Sequence, residues 1–228
     1  MSRTKLGRLA GNAKLLLLDF DGPVCSIFAH YPAPEVAARL RAVAADQGVA
    51  IGPEISDEQD PLEVLRWSAN TGSHRVLHAV EDALREAETN AARSAEPTAH
   101  AHELIREARQ LGRAVAIASN NSTPAIEAYL NRHGLGALVS VVAGRIPYAP
   151  HTMKPDPSCL LRALNAVNTA AHDAVFVGDS LTDITAARSA GVPVVAFANR
   201  PDKWEAFQAA GADVVVTTMA EVVAALSR

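Results

Sequence analysis

Short apolar runs alternate with longer mixed segments through most of this chain. The runs lie at 15–18, 114–118, 138–142, 174–177, 194–197 and 214–216. Unbroken runs of this length read as strands buried on both faces. Between the last five lie segments with helical periodicity, at 124–133, 158–167, 183–190 and 203–210. Gly191-Val192-Pro193 stops the third of these. Strand and helix in strict alternation predict an α/β fold with a doubly wound parallel sheet.

The interval 24–95 breaks this rhythm. It holds no convincing strand, but helical stretches at 34–47, 61–70 and 73–93, punctuated by Pro34, Pro53, Pro61 and Gly72. This is too much helix for one crossover. It predicts an all-helical subdomain inserted after the first strand, with 1–23 and 96–228 forming the core and 24–95 a cap. The insert holds six basic and eleven acidic residues, net −5, against net +1 elsewhere. Such a charge argues against polyanionic substrates, although solvated helix faces also account for it.

Composition narrows the setting. With 49% hydrophobic and 20% charged residues in 228, the chain is globular and can bury an ordinary core. A formal charge of −4 offers no attraction to nucleic acid or an anionic membrane, so neither is an expected partner. Arg3, Lys5 and Arg8 precede the first apolar run as in a leader, but Asp19 ends that run too early for a secretory core. No stretch is long enough to span a membrane. Cys25 and Cys159 form no metal-ligand spacing. The expected location is the cytoplasm.

Candidate chemistry gathers where the runs end. In open parallel sheets, ligands bind beyond the carboxyl ends of the strands. After the first run come Asp19 and Asp21, two positions apart and so on one side of an extended chain. After the second come Ser119, Asn120 and Asn121, and after the fourth Gly178-Asp179-Ser180-Leu181-Thr182-Asp183. Lys154 is available from the loop segment Lys154-Pro155-Asp156-Pro157. Carboxylates gathered at one edge repel and need a cation. Oxygen-only ligands select a hard ion such as Mg²⁺.

Asp19-Phe20-Asp21-Gly22, Ser119-Asn120, Lys154-Pro155-Asp156-Pro157 and Gly178-Asp179-Ser180-Leu181-Thr182-Asp183, in that order, resemble the four signatures of the haloacid dehalogenase superfamily of phosphohydrolases. The resemblance covers nearly the whole chain and implies a Rossmann-like core. It implies Asp19 as the nucleophile that becomes an aspartyl phosphate and Asp21 as the general acid and base. Mg²⁺ would be held by Asp19, the backbone carbonyl of Asp21 and Asp179, with Asp183 supporting from behind. Ser119, Asn120 and Lys154 would bind the phosphoryl group. Pro23 departs from the family pattern; it removes a backbone donor and stiffens the hinge to the cap.

Asp21 also separates phosphatases from true dehalogenases, which lack an acid there. The insert contains no lysine, which removes the Schiff-base mechanism of the phosphonoacetaldehyde hydrolases. An insert directly after the first motif resembles the phosphoglycolate phosphatase-like branch, and implies a lid over a small phosphorylated metabolite. The expected activity is a Mg²⁺-dependent phosphatase, as monomer or homodimer. A phosphotransferase or mutase with the same intermediate, and a non-catalytic binding protein on this fold, are the alternatives. Arg39, Arg41, Arg66, Trp67, Arg75 and His30 are the candidate specificity residues. His74 and His78 lack a third ligand, and His100 and His102 read as solvated.

Overall fold

The four leucines of β1 (Leu15–Leu18) divide between two apolar clusters, Leu16 and Leu18 in one and Leu15 and Leu17 in the other. Successive side chains of a strand point to opposite faces, so β1 is covered on both sides. The computed structural model describes residues 2–226. Helix α1 (Ser2–Asn12) precedes β1. After β1 come β2 (Cys25–Ser26), α2 (Ala33–Asp46), α3 (Pro61–Asn70), α4 (His74–Ala92), β3 (Glu96–Pro97) and α5 (Ala101–Gln110). The chain then alternates: β4 (Ala114–Ser122), α6 (Thr123–Arg132), β5 (Val141–Arg145), α7 (Ser158–Val167), β6 (Ala174–Gly178), α8 (Leu181–Ala190), β7 (Val194–Phe197), α9 (Lys203–Ala209), β8 (Val214–Val216) and α10 (Met219–Leu226).

The main sheet is parallel throughout, in the order β5-β4-β1-β6-β7-β8. Residues of α1, α5, α6 and α10 bury their apolar stripes on one face, those of α7, α8 and α9 on the other. This is the doubly wound α/β sandwich that the alternation predicts. Two strand limits differ from expectation. β5 starts three residues late because 136–138 form a 3₁₀ turn instead. β4 runs on to Ser122, where its pairing with β5 shifts register.

The helical interval lies between β1 and β4 and has its own core. Val36, Leu40, Val64, Leu65, Val80 and Leu84 pack together, with Met153 reaching in from the sheet side. Caps set the helix starts: Asp60 accepts from the Leu62 N–H at 2.8 Å, and Ser73 accepts from Val76. β2 and β3 pair antiparallel, Cys25 opposite Pro97, which ties the entry and exit of the interval together. α4 belongs to both bodies. Its Leu84 and Ala87 face the helical cluster, while Ala91 and Ala92 sit in the main core.

Candidate active site

β1 is flanked by β4 on one side and β6 on the other, so chain direction across the sheet reverses there and a crevice opens at its carboxyl end. Asp19 stands at that point. Its N–H donates to the Val177 carbonyl (2.9 Å), and its Oδ1 accepts from the Phe20 N–H (2.7 Å). Lys154 Nζ lies 2.8 Å from Asp19 Oδ1 and 2.7 Å from Asp183 Oδ1, and donates to the Ala118 carbonyl at 3.3 Å. This ammonium is buried, so its position is imposed by its partners. Asn120 holds the Lys154 backbone at two points: its Oδ1 accepts from the Lys154 N–H (2.8 Å) and its Nδ2 donates to the Lys154 carbonyl (3.3 Å). Both ends of the Asn120 amide are therefore engaged in placing Lys154. Ser119 is buried beside them, exchanging hydrogen bonds with Asn121.

The loop after β6 is built around Asp183. Its Oδ2 accepts from the N–H groups of Asp179 and Ser180, both at 2.9 Å, and Ser180 Oγ accepts in return from the Asp183 N–H. This capping box starts α8 and turns Asp179 toward Asp19. Two glycines permit the approach. A Cβ on Gly22, which has φ +98°, would sit 2.3 Å from Asp179 Cγ, and one on Gly178 would sit 2.5 Å from Asp183 Cβ. Pro23 occupies the tight turn that follows, where the N–H groups of Val24 and Cys25 both reach back to the Phe20 carbonyl. Asp21 turns its Oδ1 to the Ile27 N–H at 3.0 Å. Carboxylate oxygens of Asp19, Asp179 and Asp183 all lie within 4.8 Å of one another. That all-oxygen donor set fits a hard divalent cation.

Burial governs the electrostatics. It pushes Asp19 up to about 7, against the pull of Lys154, and Asp21 up to about 6, against the hydrogen bond from Ile27. Asp179 is also raised by burial, opposed by Lys203. Burial alone would lower Lys154, but the carboxylates of Asp183 and Asp19 hold it above the ordinary lysine range. The site thus sets a buried positive charge beside Asp19, and burial makes Asp19, Asp21 and Asp179 harder to ionise.

A cavity of about 590 Å³ opens over these groups, lined by Asp19, Asp21, Ser119, Asn120, Lys154 and Asp179 from the sheet side. Phe28, the start of α2, the approach to α3 with its first turn, and α4 form the facing wall. The candidate specificity residues lie elsewhere. Arg39 pairs with Glu86, Arg41 donates to the Glu58 carbonyl, Arg75 donates to Gln47 and His30 meets Glu96. Trp67 packs on the helical core. Arg66 contacts Glu63 and the Lys154 carbonyl, next to the cavity but outside its lining. His78 stacks on Tyr148 at 4.0 Å. His102 is only half-exposed, its Nε2 lying 2.8 Å from the Tyr129 hydroxyl.

Sequence reasoning missed four residues here. Lys203 Nζ donates to both the carbonyl and Oδ2 of Asp179 at 2.7 Å, and Asn199 Nδ2 donates to the same Oδ2 at 3.0 Å. Both follow β7, a strand end where the same rule could have found them. Arg145 and Glu88 are the other pair. Arg145 reaches from the end of β5 to Glu81 and Glu88 of α4, with contacts of 2.8 Å to each, and also donates to the Asn120 carbonyl. Glu88 in turn accepts from Ser122 N–H and Asn121 Nδ2. No sequence spacing links residues this far apart.

Comparison with known proteins matches a family described as haloacid dehalogenase-like hydrolase to residues 55–197. A phosphoglycolate phosphatase of Mesorhizobium japonicum is 36% identical over 41% of this chain and 40% of its own length. One of Vibrio parahaemolyticus is 26% identical over 92% of this chain and 94% of its own. The matched segments span half or less of the first two curated relatives' lengths. Among solved structures, CbbY from Rhodobacter sphaeroides in complex with phosphate superposes with a TM-score of 0.69 at 22% identity, covering 95% of this chain and all of that one. A mutant of the same protein was solved with xylulose-(1,5)bisphosphate.

Proposed function

The chain belongs to the haloacid dehalogenase-like hydrolases, and on that premise we propose that it is a Mg²⁺-dependent phosphatase of a small phosphomonoester. The observation that carries the reading is Asp19 at the sheet's reversal point, with Lys154 at 2.8 Å and two further carboxylates within reach. Asp19, the Asp21 carbonyl and Asp179 would hold the ion, backed by Asp183. The ion would neutralise charge on the transferring group. Lys154 and Ser119 bind the phosphoryl oxygens, and Asn120 serves them by fixing the Lys154 backbone.

Asp19 attacks phosphorus through a carboxylate oxygen as the bond to the leaving alcohol oxygen breaks. Asp21, raised to about 6 by burial, delivers its proton to that oxygen. A water then gives its proton to Asp21 and attacks the aspartyl phosphate. The phosphorus–oxygen bond to Asp19 breaks and inorganic phosphate leaves. Residues 24–95 act as the cap over 1–23 and 96–228, excluding bulk water while the acyl phosphate exists. Similarity to phosphoglycolate phosphatases along the chain and to a sugar-bisphosphate-binding fold supports a small phosphorylated metabolite as substrate.

The test is phosphate release from p-nitrophenyl phosphate with Mg²⁺. Wild type turns over and Asp19→Asn does not. Full activity in Asp19→Asn sinks the nucleophile assignment. Isomer formation from a sugar phosphate without free phosphate reassigns the chain as a mutase.

A further inference from the structure

The cavity is asymmetric in charge. Lys154 stands at its inner end and is the one basic residue in its described lining. The facing wall carries Glu58, Asp60 and Glu88 beside Phe28, Leu62 and Leu84. Arg145 is shared between Glu88 and Glu81, so that buried trio keeps one negative charge in excess. The insertion does contain arginines: Arg39 pairs with Glu86, Arg75 with Gln47 and Arg85 with Asp82, while Arg41 is turned to the Glu58 carbonyl and Arg66 to Glu63 and the Lys154 carbonyl, and none of these five lines the cavity. A substrate held by its phosphate at Lys154 therefore points its alcohol portion at a wall whose lining carries carboxylates and, among the described residues, no basic side chain. A second phosphate or a carboxylate there loses its hydration and gains repulsion. An amine gains attraction.

We infer that this wall selects phosphomonoesters whose alcohol portion bears no negative charge, ranking amine-bearing above neutral, and neutral above carboxylated or bisphosphorylated. The inference rests on the phosphatase reading, and it separates this chain from the phosphoglycolate phosphatases it is similar to. Glu58 and Asp60 are the specificity residues. Both can be neutralised without losing structure. Glu58 Oε1 accepts from the Gln59 and Asp60 N–H groups, and Asp60 Oδ1 accepts from Leu62, so Glu58→Gln and Asp60→Asn keep an acceptor at each cap.

The experiment compares kcat/KM for O-phosphoethanolamine, glycerol 1-phosphate and 2-phosphoglycolate, in wild type and the E58Q/D60N double variant. The expected order is the order just written. Phosphoglycolate should fall about tenfold or more below glycerol phosphate at low salt, and the gap should narrow severalfold in the double variant. Phosphoglycolate equal to or above glycerol phosphate, or a gap that the double variant leaves unmoved, overturns the inference. p-Nitrophenyl phosphate runs alongside as a reporter of the reaction itself. If nothing is hydrolysed, the phosphatase reading fails, and the charge rule is judged on the dissociation constants of the same three esters. The same order supports the rule, and its absence overturns it.

Discussion

Two buried clusters in this molecule each set one cation against two carboxylates, and they are used differently. Arg145 with Glu81 and Glu88 has side-chain exposures of 0%, 2% and 1%; Lys154 with Asp19 and Asp183 has 2%, 11% and 0%. The first is saturated with donors, although Glu88 also lines the cavity. The guanidinium fork supplies five N–H donors to both carboxylates and to the Asn120 carbonyl, and Ser122 N–H and Asn121 Nδ2 add two more to Glu88. The second is open. A single ammonium is divided among Asp19, Asp183 and a carbonyl, and Asp19 faces the cavity with its pKa pushed up to about 7. On the proposed function, donor count separates the structural ion cluster from the reactive one. The two are joined through Asn120, whose carbonyl accepts from Arg145 while its side chain places Lys154.

Removing the cation from each cluster should part them. Arg145→Met leaves two carboxylates buried without a counter-charge, and should cost about 3–5 kcal/mol of folding stability. Urea denaturation reads this, and added Mg²⁺ should not restore it. A loss below about 1 kcal/mol would mean that α4 is not held to β5 by this cluster. Lys154→Met should lower kcat/KM by about 10²–10³-fold, the usual cost of a preorganised donor at a reacting group. Its loss of stability should be partly recovered by Mg²⁺, since the same carboxylates can meet the ion.

The open cluster should also show in the pH dependence of stability. Asp19 and Asp21 are raised to about 7 and about 6, from an ordinary value of about 4. Between those limits the folded metal-free protein holds protons that the unfolded chain releases, so stability falls as pH rises. The fall should total a few kcal/mol from about pH 4 to 7 and then level off. Mg²⁺ competes with those protons and should raise the melting temperature more at pH 8 than at pH 5. An equal rise at both values would contradict the cluster's role. The smallest effect is expected from Asn199→Ala, which removes one exposed donor to Asp179. Mg²⁺ affinity, followed by calorimetry, should weaken by no more than about tenfold.

Much of this was legible in the sequence because it is local. The leucine run at 15–18, the acids directly after it and the Ser180–Asp183 spacing each encode a strand end or a cap within a few residues. The helical interval between β1 and β4 was legible as a break in rhythm. α1 and α5 were not, because their apolar positions are sparse among polar ones and count only once packed against one sheet face, and α10 was not, because its nearly continuous apolar run shows no helical period. The β5 limits were misread because Leu138 looks like strand but belongs to a turn. Arg145–Glu88 was invisible, since it joins residues that only the completed fold brings together, whereas Asn199 follows a strand end and was within reach of the same rule that finds Asp19 and Asp179. The arginines of the insert drew attention by charge alone, and charge does not say which way a helix face turns.

The central claim is that Asp19 carries the phosphoryl group. Acid quench of wild type during turnover of p-nitrophenyl phosphate, followed by peptide mass spectrometry, tests it most directly. One added phosphoryl group is expected on Asp19, labile to hydroxylamine and absent in Asp19→Asn. A phosphoryl group on Ser119 or any other residue would contradict it, as would undiminished turnover without any labelled peptide.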